Sequence, residues 1–306
     1  MLDVAVIILT YNEEKNIGRC LENVTKFSKE VYVIDSFSND NTINICQDYK
    51  CHILQNKFLY HANQLNWALK NINFKSSWIL RLDADEFVTG SLINEMYNKL
   101  PGMSKDISGV LLKRRGVFLD KWIRWGGFYP VWFLRLWRRG SVIFEDKVMD
   151  EHAILLQGKK TYFKHDFVDD NQNNLTWWIS KQNNYATKEV IEVLNNKFNL
   201  FKSDNIKSDL FGSYEERIRW FKINIYMNLP LFVRPFLFFI YRVIFRLGFL
   251  DGTRGLIWYF LQCFWYRFLV DVKYYQIIKK HKRKSLSIKQ IIFEDYNINI
   301  DNYGSK

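Results

Sequence analysis

The sequence predicts an α/β fold in which helices alternate with the strands of a largely parallel sheet. Short apolar runs occur at residues 3–9, 31–35, 52–54 and 78–82, and the stretches between them have helical periodicity. Strands that alternate with helices need crossover connections, so neighbouring strands run parallel and their carboxyl ends meet at one edge of the sheet. Ligands of open α/β sheets bind at that edge.

The first two strands both lead into polar residues. Residues 3–9 form a continuous apolar run, which is typical of a parallel strand buried on both faces, and Thr10 and Tyr11 follow it directly. The second strand ends in Asp35, and the turn after it contains residues that can cap the next helix. We therefore expect Thr10, Tyr11 and Asp35 at the edge where a nucleotide would lie.

The fourth strand leads into Asp83, Asp85 and Glu86. Asp83 and Asp85 are separated only by a small alanine, so both can turn towards one ion, and hard oxygen ligands suit Mg²⁺ or Mn²⁺ held jointly with substrate phosphates. A polar turn that closes a buried strand would have the same composition. The chain has neither a Gly-x-Gly-x-x-Gly motif after its first strand nor a P-loop, so a metal on Asp83 and Asp85 is the predicted means of holding phosphates.

The charge of the chain predicts an anionic partner. The 306 residues carry a formal net charge of +12, which suits nucleic acid, nucleotide phosphates or an acidic membrane surface. Aromatic residues make up 17% of the chain, with most of the excess after residue 110. The four cysteines show no CxxC pairing and no disulfide-like spacing, so a reducing compartment is expected.

Three ordered motifs carry a resemblance to a known family. They are Val-Ile-Ile-Leu-Thr-Tyr-Asn-Glu-Glu at 6–14, Val-Ile-Asp-Ser-Phe-Ser-Asn-Asp-Asn-Thr at 33–42 and Leu-Asp-Ala-Asp-Glu at 82–86. Together they resemble the inverting family-two glycosyltransferases with the GT-A fold, a Rossmann-like mixed sheet, and most of all the bacterial lipopolysaccharide-core and capsule enzymes. The resemblance implies a catalytic domain at 1–190, a nucleotide-sugar donor (a UDP-sugar is expected) and Mn²⁺ or Mg²⁺.

The resemblance also implies roles for individual residues in binding the donor. The positions that match the nucleoside pocket are Thr10, Tyr11 and Glu13, and Asp35 matches the acid that contacts the base or ribose. Asp83 and Asp85 match the motif that holds the metal and the diphosphate. Gln64 and Asn66 match a position that often contacts the base or phosphate, although relatives often place arginine there.

An inverting transfer requires a carboxylate that deprotonates the acceptor hydroxyl and is not itself a metal ligand. The resembled family supplies it from a Val-His-Glu-like motif, and this chain has Met-Asp-Glu in that place, with aspartate where the family has histidine. Glu151 is therefore the first choice as base and Asp150 the second. His165 follows another strand-like run and is expected to add a metal or diphosphate contact, with a structural role as the alternative.

Residues 108–165 are rich in tryptophan and arginine, which together suit an acceptor that has sugar faces and phosphate or carboxylate groups. The same composition also suits an aromatic core or base stacking with nucleic acid. A helix with Trp178, Lys181, Gln182 and Glu189 on one face follows, and it resembles a helix found after the catalytic core in the same family.

The last third of the chain predicts helices at a membrane surface. Apolar stretches at 231–250 and 256–270 contain arginines, and neither reaches the ~20 uninterrupted apolar residues of a spanning helix. With the basic run at 279–284, they predict helices that lie in the interface of an anionic membrane. The alternatives are a buried helical hairpin with a solvated basic tail, and a re-entrant or spanning hairpin. We thus expect 191–306 to be a helical, membrane-associating region on the cytoplasmic face of the inner membrane.

The predicted protein moves a sugar from a nucleotide donor to a lipid-linked or lipopolysaccharide saccharide and has no nucleic-acid partner. A basic, aromatic-rich nucleic-acid-binding protein is the rival reading; it needs no metal and leaves the acidic strand end unexplained. An inactive membrane scaffold is a third reading, which the retained acids oppose.

Overall fold

The structure is a computed structural model that describes residues 1–145, 152–201, 209–211 and 214–300. It divides into two compact units, Met1–Asn173 and Asn174–Lys306. The predicted boundary at residue 190 lies too late in the chain, because the first helix of the second unit, Leu175–Phe198, runs unbroken through that position.

The first unit alternates strands and helices as predicted, and then continues mainly in strands. Its strands are β1 Val4–Thr10, β2 Glu30–Asp35, β3 His52–Gln55, β4 Trp78–Asp83, β5 Glu86–Val88, β6 Ile107–Phe118, β7 Lys121–Trp122, β8 Trp132–Arg138, β9 Val142–Phe144, β10 Ala153–Leu155 and β11 Lys159–Asp169. Its helices are α1 Ile17–Val24, α2 Thr42–Asp48, α3 His61–Asn71 and α4 Gly90–Lys99.

The main sheet has the order β3-β2-β1-β4-β8-β6-β11-β5, and β7 pairs with β6. β3, β2, β1 and β4 are all parallel, whereas β8 is antiparallel to both of its neighbours. β11 runs parallel to β6 and antiparallel to β5. The predicted α/β fold with a parallel-rich sheet is therefore confirmed.

The centre of the sheet is buried on both faces, which is why β1 reads as one continuous apolar run. Every residue of β1 is buried. One face packs against the apolar sides of α1 and α4, through residues such as Leu21 and Leu92. The other packs against α3 and the side chain of Trp137. The polar strand ends therefore lie at the edge of a sheet whose centre is packed on both faces.

The regular elements of the second unit are all helical within its described residues. Its α-helices are α5 Leu175–Phe198, α6 Tyr214–Asn224, α7 Val233–Ile240, α8 Gly252–Tyr259, α9 Tyr266–Lys284 and α10 Ile288–Tyr296. Short 3₁₀ segments lie at Tyr226–Asn228 and Gly248–Asp251, and π-helical segments at Tyr241–Phe245 and Phe260–Trp265. The core is formed by α5, α9 and α10. None of the helices in the described residues has both the length and the apolar character needed to cross a bilayer.

Candidate active site

Three of the predicted site residues lie at the carboxyl ends of adjacent parallel strands. The register of β1 with β2 places Thr10 beside Asp35, and the register of β1 with β4 places Leu9 beside Asp83. This is the edge at which open α/β sheets bind ligands. The structure therefore brings Thr10, Asp35 and Asp83 together as the sequence predicts.

Asp35 is fully buried, and its carboxylate is held by side chains and by the turn that follows it. Thr10 Oγ1 donates a hydrogen bond to Oδ1 at 3.1 Å. The backbone N–H of Ser38 donates to Oδ2 at 2.9 Å, and Gln55 Nε2 donates to the same oxygen at 3.2 Å. Because several donors converge on it, the carboxylate has a fixed position, and it fixes the turn at the mouth of the site.

Gln64 and Asn66 lie on the same helix but have different surroundings. Gln64 is buried; its Oε1 accepts from Asn56 Nδ2 at 2.8 Å, and its Nε2 donates to Ser36 Oγ at 3.2 Å, next to Asp35. Asn66 instead pairs with the backbone of Phe144, donating to its carbonyl at 2.8 Å and accepting from its N–H at 2.9 Å. Gln64 thus supports the Asp35 turn, whereas Asn66 holds β9. Donor-binding roles for both stay predictions.

Tyr11 and Glu13 lie in the loop after β1. The Tyr11 side chain is 59% exposed, so its ring is available for stacking on a planar ligand. Glu13 accepts a hydrogen bond from Asn16 Nδ2 at 2.6 Å, and its backbone N–H donates to Thr42 Oγ1 at 2.8 Å. Glu13 therefore ties the loop after β1 to the start of α2, beside the Asp35 turn.

The Asp83 carboxylate lies between two arginines that the sequence did not single out. Arg81 Nη2 donates to Oδ1 at 3.1 Å, and Arg135 Nη2 lies 3.3 Å from Oδ2. Burial by itself would raise the pKa of Asp83, but the charges of Arg81 and Arg135 hold it well below its usual range. Asp83 is therefore ionised at neutral pH, and its side chain remains 32% exposed at the edge.

Glu86 is buried behind Asp83 and holds it in place. Its Oε2 accepts the backbone N–H of Asp83 at 2.9 Å, and its Oε1 accepts from Arg135 Nη2 at 2.7 Å. Burial is the main cause that raises the pKa of Glu86 to about 8; Arg135 opposes it, and the nearby charges of Asp83, Asp169 and Asp85 add to it. Asp169 lies here because β11 pairs with β5 in a register that sets it opposite Glu86.

Asp85 has a neutral partner. Asn171 Nδ2 donates to its Oδ2 at 2.9 Å, and no ion pair to Asp85 occurs within the part of the chain that the structure describes. The carboxylates of Asp83 and Asp85 suit a divalent cation by their chemistry, since Asp83 is kept ionised and a carboxylate has lone pairs beyond those its arginines use. The described residues contain no group of three or more His, Cys, Asp or Glu side chains that could hold a metal. The remaining ligands would be diphosphate oxygens and water, as is usual for Mg²⁺.

His165 is not brought to these acids. Its Nδ1 lies 2.8 Å from Oε2 of Glu95 on α4, and Glu95 also accepts the backbone N–H of His165 at 3.0 Å. Along β11 it lies four residues before Asp169, the partner of Glu86, which is ~13 Å at the rise of a strand. In the structure His165 is thus a partner of Glu95, and a metal or diphosphate contact stays a prediction.

The two candidate bases, Asp150 and Glu151, lie outside the described residues, and their role stays a prediction. The neighbouring tryptophan- and arginine-rich stretch has paired cations: Arg115 Nη2 donates to the buried Asp166 at 2.8 Å and its guanidinium lies 4.2 Å from the Trp122 ring centre. Tyr129 donates to the same carboxylate at 2.9 Å. Ion pairs and hydrogen bonds to Asp166 therefore hold some of the arginine and aromatic side chains of this stretch in place.

Sequence reasoning did not place Arg81, Arg135 or Asp169 beside Asp83, and it did not predict the supporting role of Glu86. Arg135 was included only in the tryptophan- and arginine-rich stretch at 108–165. Arg81 and Arg135 were visible as arginines inside otherwise apolar strands, which is a signal that each faces a buried acid. The position of Asp169 depends on strand pairing between residues far apart in the chain, for which the local pattern holds no signal.

Comparison with known proteins gives a family model and several relatives. The model described as glycosyl transferase family 2 matches residues 5–165, more than half of the chain. The lipopolysaccharide core biosynthesis glycosyltransferase LpsC of Rhizobium meliloti (strain 1021) is 29% identical over 119 residues, which are 37% of this chain and 43% of that protein. An uncharacterized glycosyltransferase of Rickettsia bellii (strain RML369-C) is 31% identical over 93 residues, 30% of this chain and 31% of that protein. The chain thus spans less than half the length of these curated relatives.

Among solved structures, S. aureus TarS 1-349 is similar over 94% of this chain and 92% of its own, with 16% identity and a TM-score of 0.44. The complex of TarS 1-349 with UDP-GlcNAc gives 15% identity and a TM-score of 0.46 over 93% of this chain and 92% of its own. The match of the family model covers β1 to β11 up to His165, and so includes the strand ends that form the site. The chain belongs to glycosyl transferase family 2.

Proposed function

We propose that the protein transfers a sugar from a nucleoside-diphosphate donor, a UDP-sugar by preference, to a membrane-linked saccharide with inversion at the anomeric carbon. The observation that carries the proposal is the juxtaposition of the buried Asp35 network with ionised Asp83 at one edge of the parallel sheet. The Asp35 network suits a nucleoside, and ionised Asp83 suits its diphosphate through a bound cation. Family membership supplies the reaction class.

In this proposal the chain positions the donor through the edge residues. Tyr11 stacks on the base, and the Asp35 turn contacts the nucleoside. Asp83 and Asp85 would hold Mn²⁺ or Mg²⁺ against the diphosphate, with Arg135 and Glu86 keeping Asp83 in place. The bound metal supplies positive charge that stabilises the departing diphosphate.

The transfer forms one bond and breaks one at the anomeric carbon, and it moves one proton. The acceptor hydroxyl oxygen attacks the anomeric carbon while the bond from that carbon to the diphosphate oxygen breaks, and the diphosphate takes the electron pair. Glu151, or Asp150 in its place, takes the proton of the hydroxyl. The acceptor class is supported by the likeness to LpsC, a lipopolysaccharide core biosynthesis glycosyltransferase. With a lipid-linked acceptor, we propose that the enzyme acts at the cytoplasmic face of the inner membrane.

Calorimetric titration of nucleoside diphosphates with and without Mn²⁺ tests the donor site directly. We expect one nucleotide to bind with a strong metal dependence. Asp83→Asn and Asp85→Asn should each weaken the metal-dependent binding by about 100-fold or more, because each removes a charged ligand from the bridging ion. Transfer activity should be lost in parallel.

The matched control is Asp106→Asn, which makes the same isosteric change at an exposed acid paired with Lys159. It should leave nucleotide affinity and its metal dependence unchanged. Unaltered Mn²⁺-dependent binding in both edge variants would show that the donor site lies elsewhere.

A further inference from the structure

The segment between residues 232 and 260 presents many large apolar side chains to solvent. Thirteen such side chains are exposed there, more than a third of those exposed among the described residues. The most exposed are Phe236, Ile244, Phe245, Phe249, Leu250 and Phe260, and Phe245 reaches 74%. We call the exposed side chains of residues 232–260 the apolar-cationic surface.

Two of the exposed rings, Phe232 and Phe260, belong to one series of ring contacts. Phe260 packs on Phe239 of α7 with ring centres 6.4 Å apart, and on Phe264 at 5.4 Å. Phe264 in turn contacts Phe268 at 5.6 Å, and Phe268 contacts Phe232 at 5.3 Å. Exposed apolar side chains concentrated in this way are rare on the free surface of a soluble protein and indicate a partner.

The charges within this surface are all positive. Arg246 is exposed, and Arg242 lies with its guanidinium 4.9 Å from the Phe238 ring centre. Residues 229–260 contain a single acid, Asp251, which is 3% exposed and accepts a hydrogen bond from Tyr259. Apolar side chains with cations between them and no exposed acid are complementary to an anionic lipid surface.

We propose that the apolar-cationic surface binds the interface of a bilayer that contains anionic lipids. The apolar side chains would enter the boundary of the acyl chains while the arginines reach the lipid phosphates. A second copy of this chain is a poorer occupant, because a two-fold pairing of the same surface would set cations against cations with no exposed acid between them.

The basic run at 279–284 is not part of this surface. Lys280 is already paired, at 3.0 Å with Glu294 and 2.6 Å with Asp295. The run lies at the far end of α9, ~17–24 Å along the helix axis from Phe268. The sequence-based prediction that this run adds to membrane attachment stays a prediction.

The inference rests on the proposed function only where it names the surface at which a lipid-linked acceptor is met. Binding of the protein to the membrane depends on the second unit alone. Flotation of the full-length protein with vesicles tests it. We expect binding to vesicles of phosphatidylcholine with phosphatidylglycerol, and weaker binding to phosphatidylcholine alone. Phe245→Ser with Phe249→Ser should lower the partition coefficient about 10- to 100-fold on both vesicle types.

Arg246→Gln separates the electrostatic part of the binding. It should lower partitioning about fivefold on vesicles with phosphatidylglycerol and have little effect on neutral vesicles. The matched control is Phe293→Ser in α10, which removes a ring that is 55% exposed outside the surface and should leave vesicle binding unchanged. Circular dichroism of each variant establishes that it is folded.

The proposal is overturned if the wild-type protein ignores both vesicle types, or if Phe293→Ser weakens binding as much as the paired substitution does. A concentration-dependent dimer that Phe245→Ser with Phe249→Ser abolishes, without vesicle binding, would assign the surface to a second copy and also overturn it. Nucleotide binding by calorimetry is measured on the same samples. Intact nucleotide binding without vesicle binding removes only this inference, whereas vesicle binding without nucleotide binding removes only the proposed function.

Discussion

Glu86 in the first unit and Glu189 in the second are the same chemical group, and both are almost completely buried, yet their pKa values move in opposite directions. Burial acts on both. Around Glu86, Arg135 is opposed by Asp83, Asp169 and Asp85, and the pKa rises to about 8. Around Glu189, Arg267 and Lys222 outweigh burial and lower the pKa to about 2, with help from a hydrogen bond donated by Tyr266.

The difference lies in the balance of charge. The single carboxylate of Glu189 contacts two cations and a hydroxyl, so its charge is balanced within the cluster. The strand edge holds several acids around Arg81 and Arg135, and Asp85 has only an amide partner within the described residues. An excess of acid that is kept partly exposed is what a cation-binding site needs, whereas balanced buried charges hold helices together.

The largest expected effect comes from a second balanced pair, Arg234 and Asp271, which are 3% and 1% exposed in the second unit. Arg234→Met should destabilise the protein by about 3–5 kcal/mol, because it leaves a buried carboxylate unpaired. Arg234→Met with Asp271→Leu should recover most of this loss, as followed by urea unfolding.

The corresponding double change at the strand edge is the contrast. Arg135→Met with Glu86→Leu should not recover stability, because Asp83 and Asp169 remain and have lost the nearby charge of Arg135. Equal recovery in both double variants would mean that the edge is also a balanced cluster, and the comparison would fail.

The next effect concerns the base. If the acidic edge serves the donor, the proton must be taken by an acid from another segment. Glu151→Gln should lower turnover by ~10²-fold or more, on the usual scale of general-base loss, and leave Mn²⁺-dependent nucleotide affinity nearly intact. Asp150→Asn is the neighbouring control. A large loss in Asp150→Asn alone would exchange the two roles, and wild-type turnover in both would place the base elsewhere.

The smallest expected effect is a change of about 1–3 kcal/mol in the free energy of unfolding with pH. It is measured by thermal unfolding without divalent metal. Glu86 has a raised folded pKa, so its stabilisation is present below about pH 4.5 and is lost as the pH rises to about 8. Glu189 has a lowered one, so its stabilisation is present above about pH 4.5 and is lost as the pH falls towards 2.

Glutamine at each position should remove the corresponding slope. Relative to Glu86→Gln, the wild-type protein should therefore lose stability as the pH rises from about 4.5 to about 8. Relative to Glu189→Gln, it should lose stability as the pH falls from about 4.5 towards 2. Parallel curves for the wild type and Glu86→Gln would contradict the crowding of acids at the edge.

The sequence predicted the strands that form the edge, since β1, β2 and β4 are buried runs with no competing pattern. It also predicted that Thr10, Asp35 and Asp83 meet, because parallel strands fix which ends lie together. It did not predict Arg135 or Asp169, since both reach the site through antiparallel pairings made late in the chain.

The second unit was predictable as helical but not in its parts. The exposed apolar segment and the basic run lie close together in the sequence, and α9 separates them in the structure. The end of the catalytic unit was also placed too late, because the periodicity of α5 continues without a break through the predicted boundary. Helical periodicity carries no signal for where one core ends and the next begins.

The pairing of Asn66 with Phe144 has a consequence for comparing homologous sequences. The position needs one donor and one acceptor at amide length: aspartate lacks the donor, glutamine is one methylene too long, and arginine has no acceptor. Purifying selection would therefore keep asparagine here in any relative that retains this contact, whatever sugar it transfers. An invariant asparagine at this alignment position would therefore report the contact between α3 and β9. A substrate-specificity signal should instead be sought at Tyr11, whose side chain has no such packing constraint.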